Sequence, residues 1–487
     1  MEPTTTTSDS DASNSSSSTY PICLCTFLVG LDFNLIATAI PVITSEFNST
    51  RDIGWYGAAF MVSMCASQPL AGKMYTLFPK KMAYLSYLLL FEVGSLVCAL
   101  APSSRALIAG RAIAGFETGV WTGVMGSSFS IASIVGPVIA GGFAQNVTWR
   151  WCFWINLPIG GAAAVVFFAL VHLRPAPTEF PPLKNKLGSI DGLGLVLFAG
   201  SITMLLLALQ WGGIEYAWSS SVVVGLLVGF GVVFILFVFW TVRQKEEALI
   251  PPRLFTVNRN PALLCAAAFF VNGPFQVIIY WLPVWFQGVL SASPTKSGID
   301  FFPTVISDVL AAFIGAGIVT QLGWWNPFLI FAEILGGVGY SLASNLSHLA
   351  MQASLPQDLV PLGSSTLLAV ISTSCAIFAA IGQAVFQRQL QVNLGKVVSS
   401  EVVERIIDSG VTDVDQIVGA NMLRRVIDKY SESVTNTFYI PAVAPVLSFF
   451  LLLGCKWISV KSKQSATTAR KEKDDAEKGQ THNRGRR

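Results

Sequence analysis

Apolar residues run along this chain in long blocks, without the polar alternation of a half-buried helix or strand. Between Ala262 and Tyr280 there is no charged residue at all. Eleven such blocks have the length of a membrane span, about 20 residues. They lie near 21–43, 55–77, 83–101, 152–173, 192–211, 221–241, 262–288, 300–321, 326–345, 362–386 and 438–457. A twelfth block, 105–145, holds 41 residues, too many for one helix and barely enough for two with a turn. The pattern predicts an all-α polytopic membrane protein with about 12–13 spans.

The polar segments divide these blocks. Residues 1–20 are rich in Ser and Thr and carry no Lys or Arg. A secretory signal starts basic, so this stretch is expected to be a disordered cytoplasmic tail. An N-terminal helical bundle then covers 21–173, and a linker with two central spans covers 174–241. A second bundle covers 242–386, a loop 387–437, a last span 438–458 and a basic cytoplasmic tail 459–487. Basic residues favour the cytoplasmic side. With 105–145 treated as a hairpin, the inner loops hold Lys80, Lys81, Arg174, Lys184, Lys186, Arg243, Lys245, Arg253 and Arg259. The outer loops hold only Arg51, Arg150 and Lys296. Past residue 345 the count fails, because the last span would leave the basic tail outside. One more span near 346–361 would repair it, so charge alone predicts that a helix is absent there. The sequons at Asn48, Asn146 and Asn345 all fall in outer positions, which makes them candidate glycosylation sites.

Composition narrows the function. The chain is 53% hydrophobic and 12% charged, where a soluble domain carries about 25% charge. Nine Lys and Arg residues lie between Lys461 and Arg487 with no aromatic residue among them. That composition suits a tail beside anionic lipid and not a nucleic-acid surface. None of the eight cysteines has zinc or redox spacing, so they read as small buried hydrophobes. No Ser/His/Asp arrangement, phosphate loop or metal cluster is visible, so neither an enzyme nor a cofactor is expected.

Charges inside spans are costly, about 2.5–3.5 kcal/mol each on insertion scales. Here they are Asp32, Glu92, Arg111, Glu117, Asp308 and Glu333. Asp32 lies at the middle of its span, two residues from Asn34. An intramembrane carboxylate can take up and release a proton, and an arginine can hold or sense that carboxylate. Asp32, Arg111 and Glu92 are therefore the candidates for proton coupling. Glu117, Asp308 and Glu333 read first as partners of neighbouring helices. Gly115, Gly119 and Gly123 repeat every four residues and form a smooth face for close helix packing. Gln68-Pro69 and Pro283 interrupt spans, as hinges or tolerated kinks. The stretch SIASIVGPVIAGGFA (130–144) places Gly136, Pro137, Gly141 and Gly142 inside an apolar helix. Trp121, Tyr280 and Trp285 are candidates to line an apolar substrate cavity.

These stretches together resemble the fourteen-span drug:proton antiporter branch of the major facilitator superfamily, and most closely its fungal toxin and secondary-metabolite exporters. LDFNLIATAIP (31–41) resembles the first-helix signature, with Asn34 in place of the usual Thr. GKMYTLFPKK (72–81) resembles the loop between helices two and three, with Thr76 where an acidic residue is common. RALIAGRAIAG (105–115) resembles the fourth-helix motif, whose arginine, here Arg111, is assigned to proton coupling. GPVIAGG (136–142) resembles the antiporter motif of helix five. WRWCFWINLPIGG (149–161), LQWGG (209–213) and YWLPVWFQ (280–287) strengthen the match.

The resemblance implies two six-helix bundles plus two extra helices. It implies proton-coupled efflux of a small amphipathic compound by a monomer, in the plasma membrane or, alternatively, the vacuolar membrane. The partners would be the substrate, protons and the lipid bilayer. It also implies that the Gly136–Gly142 helix packs where the two halves meet and seals the pathway. The chain departs from the family in two places. After Gly123 the family carries further residues that finish one helix, form a basic loop and begin the next. Near 345–352 roughly 30 family residues are missing, which removes a helix. Glu117 also stands where the family prefers a small residue. The alternative function is therefore a transport-defective transporter-like protein: a truncated paralogue, a sensor or a gene-model artefact.

Overall fold

The computed structural model describes residues 24, 27–32, 35–36, 38–47, 49, 52–116, 126–170, 191–213, 215–335, 340–356, 359–409, 418 and 420–459. Apart from two isolated β-bridges, the regular structure there is helical. The first half consists of α1 (helical within 24–47), α2 (Ile53–Leu77), α3 (Lys80–Ala99), α4 (Ser104–Ala114), α5 (Gly126–Asn146), α6 (Trp151–Trp154) and α7 (Asn156–Leu170). Two central helices follow, α8 (Gly192–Trp211) and α9 (Ser221–Gln244). The second half holds α10 (Arg253–Thr256), α11 (Asn260–Gly288), α12 (Pro294–Asp300), α13 (Phe302–Leu322), α14 (Asn326–Leu335), α15 (Tyr340–Ser354) and α16 (Val360–Leu394). It closes with α17 (Ser400–Ser409), α18 (Ala420–Thr435) and α19 (Tyr439–Leu453).

Among the described residues, seven helices are long and apolar enough to cross a membrane. They are Lys81–Ala99, Trp151–Ala169, Gly192–Trp211, Ser221–Glu247, Asn260–Gly288, Val360–Leu394 and Met422–Leu453. α9 is the most lipid-like. Val228, Ile235 and Phe239 on it are each exposed by 60% or more, as expected of a helix bathed by acyl chains. α8 packs against both α2 and α16, so the central pair touches both halves.

The 41-residue block 105–145 contains two helices, α4 and α5, rather than one. α4 has 11 described residues, only about 16 Å of rise. The segment 117–125, with Glu117, Gly119, Trp121 and Gly123, lies outside the described residues. Gly115 does meet a neighbour closely: a Cβ there would strike the backbone of Phe60 on α2.

The expected span at 326–345 is divided. α14 ends at Leu335, and α15 begins at Tyr340 and runs to Ser354, into the segment expected to lack a helix. Three glycines lie between them, at 336, 337 and 339. A hydropathy scan misses α15 because Ser344, Asn345, Ser347, His348 and Gln352 interrupt it. The structure explains one of these interruptions: Ser344 Oγ donates to Asn272 Oδ1 on α11 at 2.9 Å. At 10 and 15 residues, α14 and α15 rise about 15 and 22 Å, each less than the roughly 30 Å hydrocarbon core.

The expected loop 387–437 is largely helical where described. α16 has 35 residues, about 52 Å, and so outruns the bilayer core. α17 and α18 fold onto its far end. Val403, Ile406, Val426, Tyr430 and Val434 pack there with Phe386, Leu390 and Leu394.

Candidate functional site

The site forms where α1, α3, α4 and α7 meet. α4 buries Ser104, Leu107, Gly110, Arg111 and Ala114, one stripe at helical spacing. Ser103 caps the helix, its hydroxyl accepting from the Ala106 N–H at 3.4 Å. Two glycines let α4 lie directly on α3. A Cβ on Gly94 would enter the backbone of Ala114, and one on Gly110 would strike Cys98. This close approach carries Arg111 into the interior.

Arg111 and Asp32 form an ion pair in which each side chain is 1% exposed. Arg111 Nη1 donates to Asp32 Oδ2, and Arg111 Nε donates to the Tyr56 carbonyl at 3.0 Å. The guanidinium also stacks on Phe60, 4.4 Å from the ring centroid. Asn156 Nδ2 on α7 donates to Asp32 Oδ1 at 3.2 Å and to Ser95 Oγ on α3 at 3.1 Å. Four helices thus hold one buried carboxylate. Removing either charge from such a pair leaves the other uncompensated, which costs about 3–5 kcal/mol.

Glu92 stands one turn from Ser95 on α3. Both of its carboxyl oxygens are buried with no hydrogen-bond partner among the described residues, and they lie against Gly160 on α7, where a Cβ would collide with them. Gly160 is one turn from Asn156. Sequence reading chose Asp32, Arg111 and Glu92 as charges in spans; the structure brings all three to one cluster. It missed Asn156, Ser95 and the Tyr56 carbonyl, which carry no charge. Asn156 lies inside the quoted run 149–161, so a polar residue within an apolar block was the available signal.

α5 runs unbroken through Gly136, Pro137, Gly141 and Gly142 and packs along α12 and α13 of the second half. Gln145 Oε1 accepts from Thr295 Oγ1 there at 2.8 Å. Gly136 and Gly141 are buried. Gly142 faces open space, with no atom within 4 Å of an added Cβ, so close approach does not account for it. The halves also meet along α2 and α16: Ser372 Oγ donates to Gln68 Oε1 at 3.1 Å, and Cys65 bonds Thr373.

The aromatic candidates separate. Tyr280 on α11 reaches across to Gly57 on α2. Trp285 turns away, its indole N–H donating to Ser431 Oγ on α18 at 3.0 Å, so it belongs to the cap formed by α17 and α18 and not to the central cluster. The reason is α18, which a loop reading did not place beside it. One turn before Tyr280, Gln276 is 3% exposed and its Nε2 has no partner among the described residues. Asn34, Trp121 and Asn48 lie outside the described residues. Asp308 and Glu333 fall on α13 and α14, with side chains outside the description. Asn146 is exposed at the end of α5, its Nδ2 donating to the Gly142 carbonyl at 3.1 Å. Asn345 is half-buried within α15, not in a loop.

A second cluster braces the mouth of the first half. Glu46 accepts from Arg150 Nη1 at 2.8 Å and Trp149 Nε1 at 2.6 Å. Partial burial opposes ionisation of Glu46, but the two hydrogen bonds and the Arg150 charge outweigh it and hold the carboxyl below its ordinary range. This explains the WRW run as structure.

Comparison with known proteins agrees with this architecture. The model of the Major Facilitator Superfamily matches residues 22–121 and 117–399. The chain is 35% identical over 495 residues to the efflux pump roqT of Penicillium rubens, covering 92% of each chain. It is 34% identical over 489 residues to the efflux pump aflT of Aspergillus parasiticus, covering 91% of this chain and 95% of that one. To the rubrofusarin-specific efflux pump aurT of Gibberella zeae it is 35% identical over 484 residues, covering 90% and 88%. Among solved structures, a bacterial homolog of the human lysosomal transporter Spinster superposes with a TM-score of 0.54 at 11% identity, covering 90% of this chain and 97% of that one. With its helical halves, its apolar spans and these relatives, the chain is an integral membrane protein that belongs to the major facilitator superfamily.

Proposed function

We propose that this transporter exports a small amphipathic organic compound, of the toxin or secondary-metabolite class, in exchange for protons. The observation that carries the reading is the Asp32–Arg111 pair, buried among four helices with Asn156 as its third member. Asp32 takes a proton from the outer side and releases it to the inner side, and Arg111 is the counter-charge that the two states share. Glu92 is the second carboxyl of the relay. Movement of one charge inward releases about 2.3 kcal/mol per 100 mV, and each pH unit adds about 1.4 kcal/mol. The α5 helix with Gly136, Pro137, Gly141 and Gly142 seals one side of the contact between halves. Tyr280 and Gln276 face the substrate path, and Trp121, outside the described residues, remains a candidate for it. The names of the relatives, efflux pumps, support the direction of transport. The protein works as a monomer in the plasma membrane, and Asn48 and Asn146 are its candidate glycan sites.

The test is flux of rhodamine 6G in liposomes holding the purified full chain under an imposed pH gradient. Gradient-driven flux that collapses with a protonophore and with Asp32→Asn supports the proposal. Flux that persists in Asp32→Asn with its pH dependence intact removes Asp32 from the mechanism.

A second reading, a transport-defective relative, has its own observation. The family match divides at 117–121, beside Gly123. The alignment with roqT runs over 495 positions while covering 92% of 487 residues, so that relative carries internal residues this chain lacks. Sequencing the transcript across codons 123–124 and 345–352 separates the two. In-frame segments there would mark a mis-spliced chain, and an unchanged transcript would favour the defective relative.

A further inference from the structure

Tyr280 belongs to the second half but packs against three separate apolar clusters. One is the first-half core around Leu31 and Tyr56, one the second-half cluster around Trp281 and Phe386, and one the interface cluster around Met61 and Cys375. No other described residue joins all three. Its hydroxyl rests on Gly57 of α2 so closely that a Cβ there would coincide with it. The preceding residue, Tyr56, gives its carbonyl to Arg111 Nε at 3.0 Å. Tyr280 therefore stands one residue away from an Arg111 ligand, within electrostatic reach of both Arg111 and Asp32. Its hydroxyl oxygen carries lone pairs that can accept a hydrogen bond.

We propose that Tyr280 is the positioning residue through which the second half reads the protonation state of the Asp32–Arg111 pair. The idea rests on the proton-coupling reading above and adds the link to movement. When Asp32 takes a proton, Arg111 keeps its charge and loses its counter-ion. The guanidinium then turns toward its remaining acceptors, the Tyr56 carbonyl and the Tyr280 hydroxyl oxygen. Either shift disturbs the Gly57–Tyr280 contact, and with it the seam between α2 and α11. α11 is built to respond. Tyr280 lies between Pro274 and Pro283, and each proline removes one backbone hydrogen bond, so the segment tilts at reduced cost. Trp281 carries the tilt into the second half by packing on Phe386 of α16, with ring centroids 4.2 Å apart. The titratable groups that feel Asp32 from the surrounding elements are Arg111 on α4, Glu92 and Cys98 on α3, Cys152 on α6 and Tyr280 itself.

The experiment is hydrogen–deuterium exchange of the full chain in detergent micelles across a pH series, read on peptides covering 274–283 and corrected for the intrinsic exchange rate. It does not depend on which compound is carried. In the unaltered chain, exchange of this segment should rise as pH falls, by about tenfold for a coupling of ordinary strength. Asp32→Asn should hold it high at every pH, and Tyr280→Phe should make it independent of pH. Gly57→Ala, which displaces the phenol from the other side, should mimic Asp32→Asn and guards against a Tyr280 variant that fails to fold. A Tyr280→Phe segment that follows pH as the unaltered chain does would overturn the proposal. So would a segment in the unaltered chain that ignores pH. Loss of gradient-driven rhodamine 6G flux in the unaltered chain would instead sink the antiport reading, so the two failures are separable.

Discussion

The two halves each bury a polar cluster, and the clusters differ in kind. In the first half it is charged: Asp32 and Arg111, with Asn156 and Ser95 around them. In the second half, among the described residues, it is neutral. Asn260 bonds Ser354 Oγ at 3.3 Å and both the N–H and the carbonyl of Lys456, and Asn272 accepts from Ser344. A neutral amide satisfies its partners in one arrangement and holds a shape. A buried ion pair has two protonation states with different preferred surroundings, so it can drive a change of shape. On the proposed coupling, the difference puts the energy input in the first half, with the second half following.

The sharpest way to break the comparison is Arg111→Ala. It should destabilise the fold by about 3–5 kcal/mol, because Asp32 is left buried and unpaired. The double variant Asp32→Asn with Arg111→Gln should recover much of that stability while gradient-driven flux stays lost. Thermal unfolding in detergent and liposome flux measure the two separately. A double variant no more stable than Arg111→Ala would mean that the unpaired Asp32 carboxylate is not what costs the single variant its stability.

Gly141→Leu comes next. Its site is buried on the helix that faces α12 and α13, and an overpacked side chain there should cost about 1–3 kcal/mol. Transport should fall at unchanged surface abundance. Preserved transport would remove α5 from the seal.

Asn272→Ala sharpens the other side. It strips Ser344 of its acceptor, for about 1–3 kcal/mol, and the loss should be the same at every pH because no charge is involved. A pH-dependent loss would implicate His348, one turn from Ser344 on α15. Trp285→Phe should cost about 1 kcal/mol through the Ser431 bond and leave flux of the dye unaltered, as expected of a cap residue.

The smallest effect belongs to Glu46, whose side chain is 44% exposed and screened by solvent. Its carboxyl is held below the ordinary range in the folded state. The stability it adds is therefore present above the unfolded carboxylate range and fades as pH falls through the lowered folded value. Glu46→Gln should flatten the acid limb of the unfolding profile slightly and nothing else.

Much of this was legible in the chain. Bilayer hydrocarbon cannot satisfy a backbone, so long apolar blocks read as helices, and the few charges inside them read as costly and in need of partners. That logic reached Asp32, Arg111 and Glu92 from position alone. It failed at α15, where polar residues lower the hydropathy of a helix, and at 387–437, where amphipathic helices read as a loop. In both places tertiary partners accept the polar or apolar face, and a linear scan has no access to partners.

What the sequence determined by itself is the class of the molecule: how many apolar residues must leave water, and which charges travel with them. Only the tertiary structure decided who meets whom. Gly94 and Gly110 let α4 press on α3 and so deliver Arg111 to Asp32. Trp285 went to the cap and Tyr280 to the seam, though five residues part them on one helix. Burial is a property of composition, because it follows from the solvent each residue avoids. Pairing follows from distances between helices, set by small residues on facing surfaces that no single segment can specify.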